Sequence, residues 1–202
     1  MHSQIRPAIA LLAIMTVLTG VAYPLAMTAV GQALFPHQAN ASLITRNGVV
    51  VGSEYVGQAF TRPEYFHGRP SAVDYDAASS GGTNLAPTNR ELVDAVGERT
   101  RQIAAETGAG RVPIDLVTSS ASGLDPDISP ESAYLQIARI AEARGLSAEE
   151  LRRMVDAHVE APLFRIFGAP AVNVLKLNLA LNERAPVETD ATGSMDGASA
   201  EQ

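Results

Sequence analysis

From Pro7 to Gly31 the chain runs PAIALLAIMTVLTGVAYPLAMTAVG, twenty-five consecutive residues without a formal charge. Nothing else in the sequence limits the fold as strongly. At 1.5 Å per residue the run makes about 37 Å of helix, enough to cross a hydrocarbon core of about 30 Å with some tilt. We therefore expect a membrane anchor over residues 1–35, with the span at about 8–31. Pro24 removes one backbone hydrogen bond and predicts a kink. Tyr23 and Phe35 are placed to seat the helix near the outer interface. The competing reading is a cleaved secretory signal with Gly20-Val21-Ala22 as its small-residue site. Against it, the apolar run continues nine residues past Ala22 and the positive n-region is one arginine. Arg6 precedes the span and the next cation is Arg46. The positive-inside rule then predicts a cytoplasmic N-terminus and a periplasmic or extracellular remainder.

Charge divides the rest of the chain. Net charge is −7, of which Arg46–Asn182 and the tail from Glu183 to Gln202 each carry −4, against the single Arg6. Residues 36–182 are expected to form one soluble α+β domain, and 183–202, acidic and free of aromatics, a disordered tail. An acidic balance without a basic stripe argues against nucleic acid as a partner. The absence of Cys excludes disulfides, thiolate metal sites and cysteine nucleophiles.

Within the domain, Ser42–Thr45 and Val49–Val51 are β-prone runs joined through Arg46-Asn47-Gly48, a strong hairpin signal because both turn residues accept positive φ. Glu54–Phe60 reads as a further β-like stretch. Thr61 to Pro87 is rich in Gly, Pro, Ser and Asn, and its twenty-seven residues are too many for a passive connector. Thr88 with Glu91 forms a capping box for a helix that stops at Gly108. Val112–Thr118 reads as a short buried strand, and Ser119–Pro126 as a loop. Ser129-Pro130-Glu131 starts a helix that ends at Gly145, and Ser147 with Glu150 starts the next. In Val172–Leu181, leucines 175, 177, 179 and 181 alternate with polar or small residues, which predicts a half-buried strand, with a helix as the alternative.

Motifs for chemistry are mostly missing. The sequence has no G-x-x-x-x-G-K-[ST] loop, no D-K-T-G-T, and a single lysine, Lys176. Ser79–Asn84 has the composition of an anion-cradling loop but reads more simply as a turn. Ser119, Ser120 and Ser122, with His67 or His158 as base, are the material for a nucleophile, but Gly-x-Ser-x-Gly is absent. Four dispersed histidines make no metal centre. Asp125 and Asp127 open a calcium-like loop that Pro126 and Pro130 spoil. The residues thus describe an anchored domain, more plausibly a subunit than an enzyme. The rival is a membrane-anchored periplasmic enzyme or ligand-binding domain using the Ser119–Ser122 loop.

Several long motifs occur in order: Gly57-Gln58-Ala-Phe60, Tyr65-Phe66-His-Gly68-Arg69-Pro70-Ser71-Ala72 and Ser80-Gly-Gly-Thr-Asn84-Leu-Ala-Pro87-Thr-Asn89, then Pro113 to Pro130 and Val172 to Leu181. Together with the anchor they resemble the C subunit of the Kdp potassium-transporting ATPase over about residues 5–182. Departures are local: Thr83 for a usual serine, Ala86 for glycine, Ser120 for alanine, and Gly168-Ala169-Pro170 for Gly-Glu-Pro. The resemblance implies a complex with a channel-like potassium-binding subunit and a P-type ATP-hydrolysing subunit. It also implies a role as catalytic chaperone that raises the pump's affinity for ATP. ATP and potassium would be handled by the complex, with no cofactor or metal expected on this chain and no catalytic residues of its own.

The candidates for a partner or functional surface are Gln58, Phe60, Tyr65, Phe66, Arg69, Ser71, Asn84, Asn89, Ser122 and Asp125. Aromatic and arginine anchors are what interfaces use, although Tyr65 and Phe66 suit a core equally well. Glu64, Asp74 and Asp76 are candidates for concentrating cations near a potassium entrance.

Overall fold

The uncharged run lies within a helix from Ile5 to Leu34, thirty residues that include an 18-residue stretch with a mean hydropathy of 2.1. Two α-helical stretches, α1 (Ile5–Val17) and α2 (Tyr23–Leu34), are joined by a π-helical turn over Leu18–Ala22. Pro24 explains the turn. Its ring cannot donate and crowds the carbonyl four residues back, and the wider turn relieves this by sending the Tyr23 N–H to Leu18 O. A single helical turn, α3 (Pro36–Ala39), follows. The computed structural model describes residues 4–187 apart from 163, 165 and 167. It divides between Leu43 and Ile44 into two compact units.

At the start of the larger unit, β1 (Leu43–Arg46, its first residue the last of the smaller unit) and β2 (Val49–Ser53) form a hairpin. Asn47 (φ 49°) and Gly48 (φ 80°) both take left-handed backbone, as a two-residue hairpin turn requires. Glu54–Phe60 does not continue as a strand. The chain turns at Glu54 and Tyr55, Ser53 bridges Val56, and the Gln58 amide donates to Val51 O at 3.1 Å.

The helices are α4 (Arg90–Thr107), α5 (Pro130–Arg144), α6 (Ala148–His158) and α7 (Val174–Arg184). Ser129 and Ser147 cap α5 and α6 by accepting from Ser132 N and Glu150 N, both at 3.2 Å. Gly108 and Gly145 end α4 and α5 with φ of 68° and 64°. The cap of α4 is Asn89 rather than Thr88, its carboxamide accepting from Glu91 N at 2.8 Å. Val112–Thr118 is a 3₁₀ turn at Ile114–Leu116, not a strand. Its Asp115 carboxylate reaches forward to α5, accepting from Ser129 N and Ser132 Oγ at 2.7 Å and from Ser129 Oγ at 3.2 Å. That long-range tie decides the local conformation.

A small antiparallel sheet has the order β3-β5-β4, from Asp127–Ile128, Ala171–Asn173 and Val159–Glu160. Ile128 and Val159 both face Val172 in register. The strand expected over Val172–Leu181 ends at Asn173, whose side chain caps α7 by accepting from Lys176 N at 3.1 Å. Leu175/Leu179 and Leu177/Leu181 become two neighbouring ridges at i,i+4, so the alternating pattern suits a helix buried on most sides. Only Lys176, Ala180, Asn182 and the last turn approach solvent. Helix α7 also takes in Glu183 and Arg184, the start of the expected tail; residues 188–202 lie outside the described residues. Helices α5, α6 and α7 close around β5, with Phe66, Ile140, Leu151, Val155, Leu177 and Leu181 fully buried.

Candidate functional site

The irregular stretch 57–82 is held by side chains rather than by a ladder. Asn178, fully buried on α7, accepts from Phe66 N at 2.8 Å and donates to Phe66 O at 2.9 Å. Gln136 on α5 does the same for the next residue, accepting from His67 N at 2.8 Å and donating to His67 O at 3.1 Å. Two carboxamides thus act as one-residue strands, satisfying backbone that would otherwise be buried unpaired. Arg139 donates to Pro63 O, to Tyr65 O at 3.0 Å and to Gln136 Oε1 at 2.8 Å. Arg144 lies 4.8 Å over the Tyr65 ring and donates to Glu64 O, Ala185 O and Asn182 Oδ1 at 2.7–2.8 Å. Sequence reasoning misses Asn178, Gln136, Arg139 and Arg144. The available signal is a carboxamide within an apolar helical stripe, as at Leu177-Asn178-Leu179.

A second set of contacts clasps 57–82 to the loop 119–127. Arg69 pairs with Asp125 at 3.0 Å. Ser71 Oγ donates to Gly123 O at 2.7 Å and accepts from Val73 N and Tyr75 N. The Tyr75 hydroxyl donates to Arg69 O, and burial with Asp125 nearby pushes that phenol up to about 12. Backbone bonds complete the clasp, from Gly57 N to Leu124 O and from Gly81 N to Ser122 O, both 2.8 Å. Gly123 must be glycine: its φ is 69°, and a Cβ there would come within 2.6 Å of Val73 Cγ2 and 2.7 Å of Gly81 O. Arg69 Nε and Ser119 Oγ are buried without a hydrogen-bond partner among the described residues.

The structure therefore brings Arg69, Ser71, Ser122 and Asp125 together in one clasp, while Gln58 ties to β2, Asn89 caps α4, and Asn84 stands exposed with φ of 55°. Phe60, Tyr65 and Phe66 lie in the core, 8%, 3% and 0% exposed, with the Phe60 and Tyr65 rings 5.8 Å apart. Within this chain the apolar area of all three rings is packed inside the domain, the core placement that the sequence left open for Tyr65 and Phe66. Glu64 is paired with Arg62, whereas Asp74 and Asp76 are exposed, the latter in a turn with Ala78 N.

Two of the three serines of the loop are spent on its own turn. Ser120 Oγ accepts from Gly123 N at 2.9 Å and Ser122 Oγ from Leu124 N at 3.1 Å. His67 and His158 hydrogen-bond to the carbonyls of Arg62 and Met154. Among the described residues no group of three or more His, Asp or Glu side chains is placed to hold a metal ion.

Beside the clasp, a cleft of about 390 Å³ opens between α4, the segment 59–75 and α5. Arg69, Arg99 and Arg139 line it together with His67 and Glu106. Burial and the neighbouring Arg139 charge hold His67 below the usual imidazole range, and burial likewise lowers Arg139. Helix α4, which forms one wall, contributes no fully buried side chain to the core.

The profile of one family, described as the c chain of the K+-transporting ATPase, matches residues 5–183. Among curated proteins, the potassium-transporting ATPase KdpC subunit of Rhodopseudomonas palustris strain BisB18 is 53% identical over 196 residues, covering 90% of this chain and 98% of its own. The subunits of the same name from Variovorax paradoxus strain S110 and Sorangium cellulosum strain So ce56 are 52% and 53% identical, covering 92% and 90% of this chain and 98% of their own lengths. The match runs from the anchor through the clasp to the end of α7, and the chain belongs to the KdpC family of K+-transporting ATPase subunits.

Proposed function

We propose that this chain is a non-catalytic auxiliary subunit of an ATP-driven potassium uptake complex, assembled with a channel-like potassium-binding subunit and a P-type ATP-hydrolysing subunit. The observation that carries this is the family match over residues 5–183 together with a thirty-residue helix, Ile5–Leu34, whose apolar surface is long enough to cross a membrane. Such a surface is left to lipid and to other membrane-embedded subunits. With Arg6 before the span and no cation until Arg46, the N-terminus lies in the cytoplasm and the domain outside the inner membrane. ATP does not reach a domain placed there. The chaperone effect on ATP affinity then works by favouring one pump conformation through the anchor and subunit contacts. The rival reading, an anchored enzyme working through Ser119–Ser122, is less well supported, because the Ser120 and Ser122 hydroxyls are used in hydrogen bonds to their own turn.

The test is a mild-detergent pull-down of the tagged chain from its native membrane, followed by an assay of potassium-stimulated ATPase activity. Co-elution of both partners, with apparent ATP affinity falling when this chain is stripped, is the expected result. A topology reporter placing residue 202 in the cytoplasm would overturn the indirect route, and turnover by the chain alone would favour the enzyme.

A further inference from the structure

The cleft beside the clasp has a charge balance unlike the rest of this acidic protein. Three arginines line it. Asp125 offsets Arg69 at 3.0 Å, and Glu106 on the cleft wall offsets a second, leaving one positive charge in excess. The arginines differ in what they have left to give. Arg139 sends its guanidinium to Pro63 O, Tyr65 O and Gln136 Oε1. Arg99 donates to Val117 O at 3.2 Å through Nη1 alone, so it retains donors for a further acceptor. Arg99, Gln102, Ile103 and Glu106 recur at i, i+3, i+4 and i+7, one face of α4, and all four line the cleft. Phe60, Ile103 and Leu116 give the walls an apolar part.

From this we infer that the cleft receives an acidic side chain flanked by apolar residues, presented by a segment of another subunit of the same complex, with Arg99 as its direct partner. The inference deepens the subunit reading and rests on it. A carboxylate fits better than a phosphoryl group for two reasons. One excess positive charge matches a single negative charge, not two. The part of α4 at the cleft is its middle and C-terminal half, Arg99 to Thr107, whereas phosphate sites use the N–H groups and positive dipole of a helix start. An acidic protein that concentrates arginine in one cleft also gains selectivity, because like charges elsewhere repel the same acidic segment.

The experiment uses the full chain in the complex purified in mild detergent. A photo-reactive substitution, Gln102→benzoylphenylalanine, is cross-linked and the joined peptide mapped. Retention of the chain on the complex is then compared for wild type, Arg99→Gln and Arg99→Glu, with thermal melting of each chain as the folding control. The expected outcome is a cross-link to a segment bearing Asp or Glu and a roughly tenfold or greater loss of retention for Arg99→Glu, with a smaller loss for Arg99→Gln. Replacing the mapped acid by Arg restores retention of Arg99→Glu. Cross-linking only to lipid or nucleotide, or unchanged retention in both variants, overturns the inference while wild-type co-elution keeps the subunit reading. If the wild-type chain itself does not co-elute, both fall.

Discussion

Replacing Asn178 by leucine tests whether side-chain clamps, rather than strand pairing, hold the irregular half of the domain. The carboxamide is fully buried and satisfies both backbone groups of Phe66, at 2.8 and 2.9 Å. Leucine has a similar size but offers neither a donor nor an acceptor. Phe66 is itself fully buried, so its N–H and C=O would be stranded. Each orphaned group costs about 1–3 kcal/mol. The added apolar burial returns about 1.5–3 kcal/mol at most. At mid-range the two orphaned groups cost about 4 kcal/mol and the burial returns about 2, so the expected net loss is about 2 kcal/mol, most of it borne by the segment around Phe66. Urea unfolding of the full-length chain in mild detergent, followed by far-ultraviolet circular dichroism, reads this. With a slope of about 1–3 kcal/mol per molar, the midpoint falls by about 1 M. Lys176→Met on the same helix is the control. It removes partly exposed ion pairs to Glu54 and Glu160 and should cost no more than about 1 kcal/mol. If Asn178→Leu unfolds with wild type, within about 0.5 kcal/mol, the clamp argument is wrong.

The same geometry sets other outcomes. Gly123→Ala should cost about 1–3 kcal/mol in thermal melting, since φ is 69° and two atoms lie within 2.7 Å of the new methyl. Gly97→Ala in mid α4, where nothing lies within 4 Å, should instead gain about 0.5–1 kcal/mol. His67 is held below its ordinary value by burial and then by Arg139, so the unfolded chain binds its proton more readily than the folded one. Its contribution is therefore complete above the unfolded value near 6.5 and is lost as pH falls through the lower folded value. Melting of His67→Gln between pH 7 and pH 5 should vary less than that of wild type; an unchanged slope contradicts the assignment. Neutralising Asp74 and Asp76 to Asn should weaken apparent potassium affinity of the complex at low ionic strength and lose that effect at high salt. No change at low salt would end the idea that they concentrate cations.

Local sequence rules are enough for elements whose ends carry their own chemistry. Asn47-Gly48 makes the hairpin, and Ser129, Ser147 and Gly145 bound α5 and α6 where capping predicts. They fail where a residue answers to a distant partner. Asp115 sits within an expected strand, but its carboxylate serves the start of α5. Burial raises that carboxyl, and the hydrogen bonds from Ser129 and Ser132 outweigh it and hold it low. The leucines of α7 mislead for another reason: alternation at period two and paired ridges at i,i+4 coincide over the seven residues from Leu175 to Leu181, and only burial on most sides separates them. At the site, Arg69, Ser71, Ser122 and Asp125 are legible because motifs carry them. Asn178, Gln136 and Arg139 are not, since each is a polar helix residue whose backbone partner lies about seventy to over one hundred positions away.

The π-helical turn at Leu18–Ala22 has a consequence for how the membrane segment is recognised. A turn that takes in one residue more than an α-helical turn shifts everything beyond it by about 100° around the axis. Side chains spaced at 3.6 before Leu18 therefore do not line up with those spaced at 3.6 after Ala22. The anchor presents two stripes, one per half, rather than a single seam. A partner packed along the helix would meet different faces on the two sides of the wide turn, and a substitution scan along it would show a break in phase there. Pro24, by forcing that turn, gives one helix two faces that are out of phase with each other.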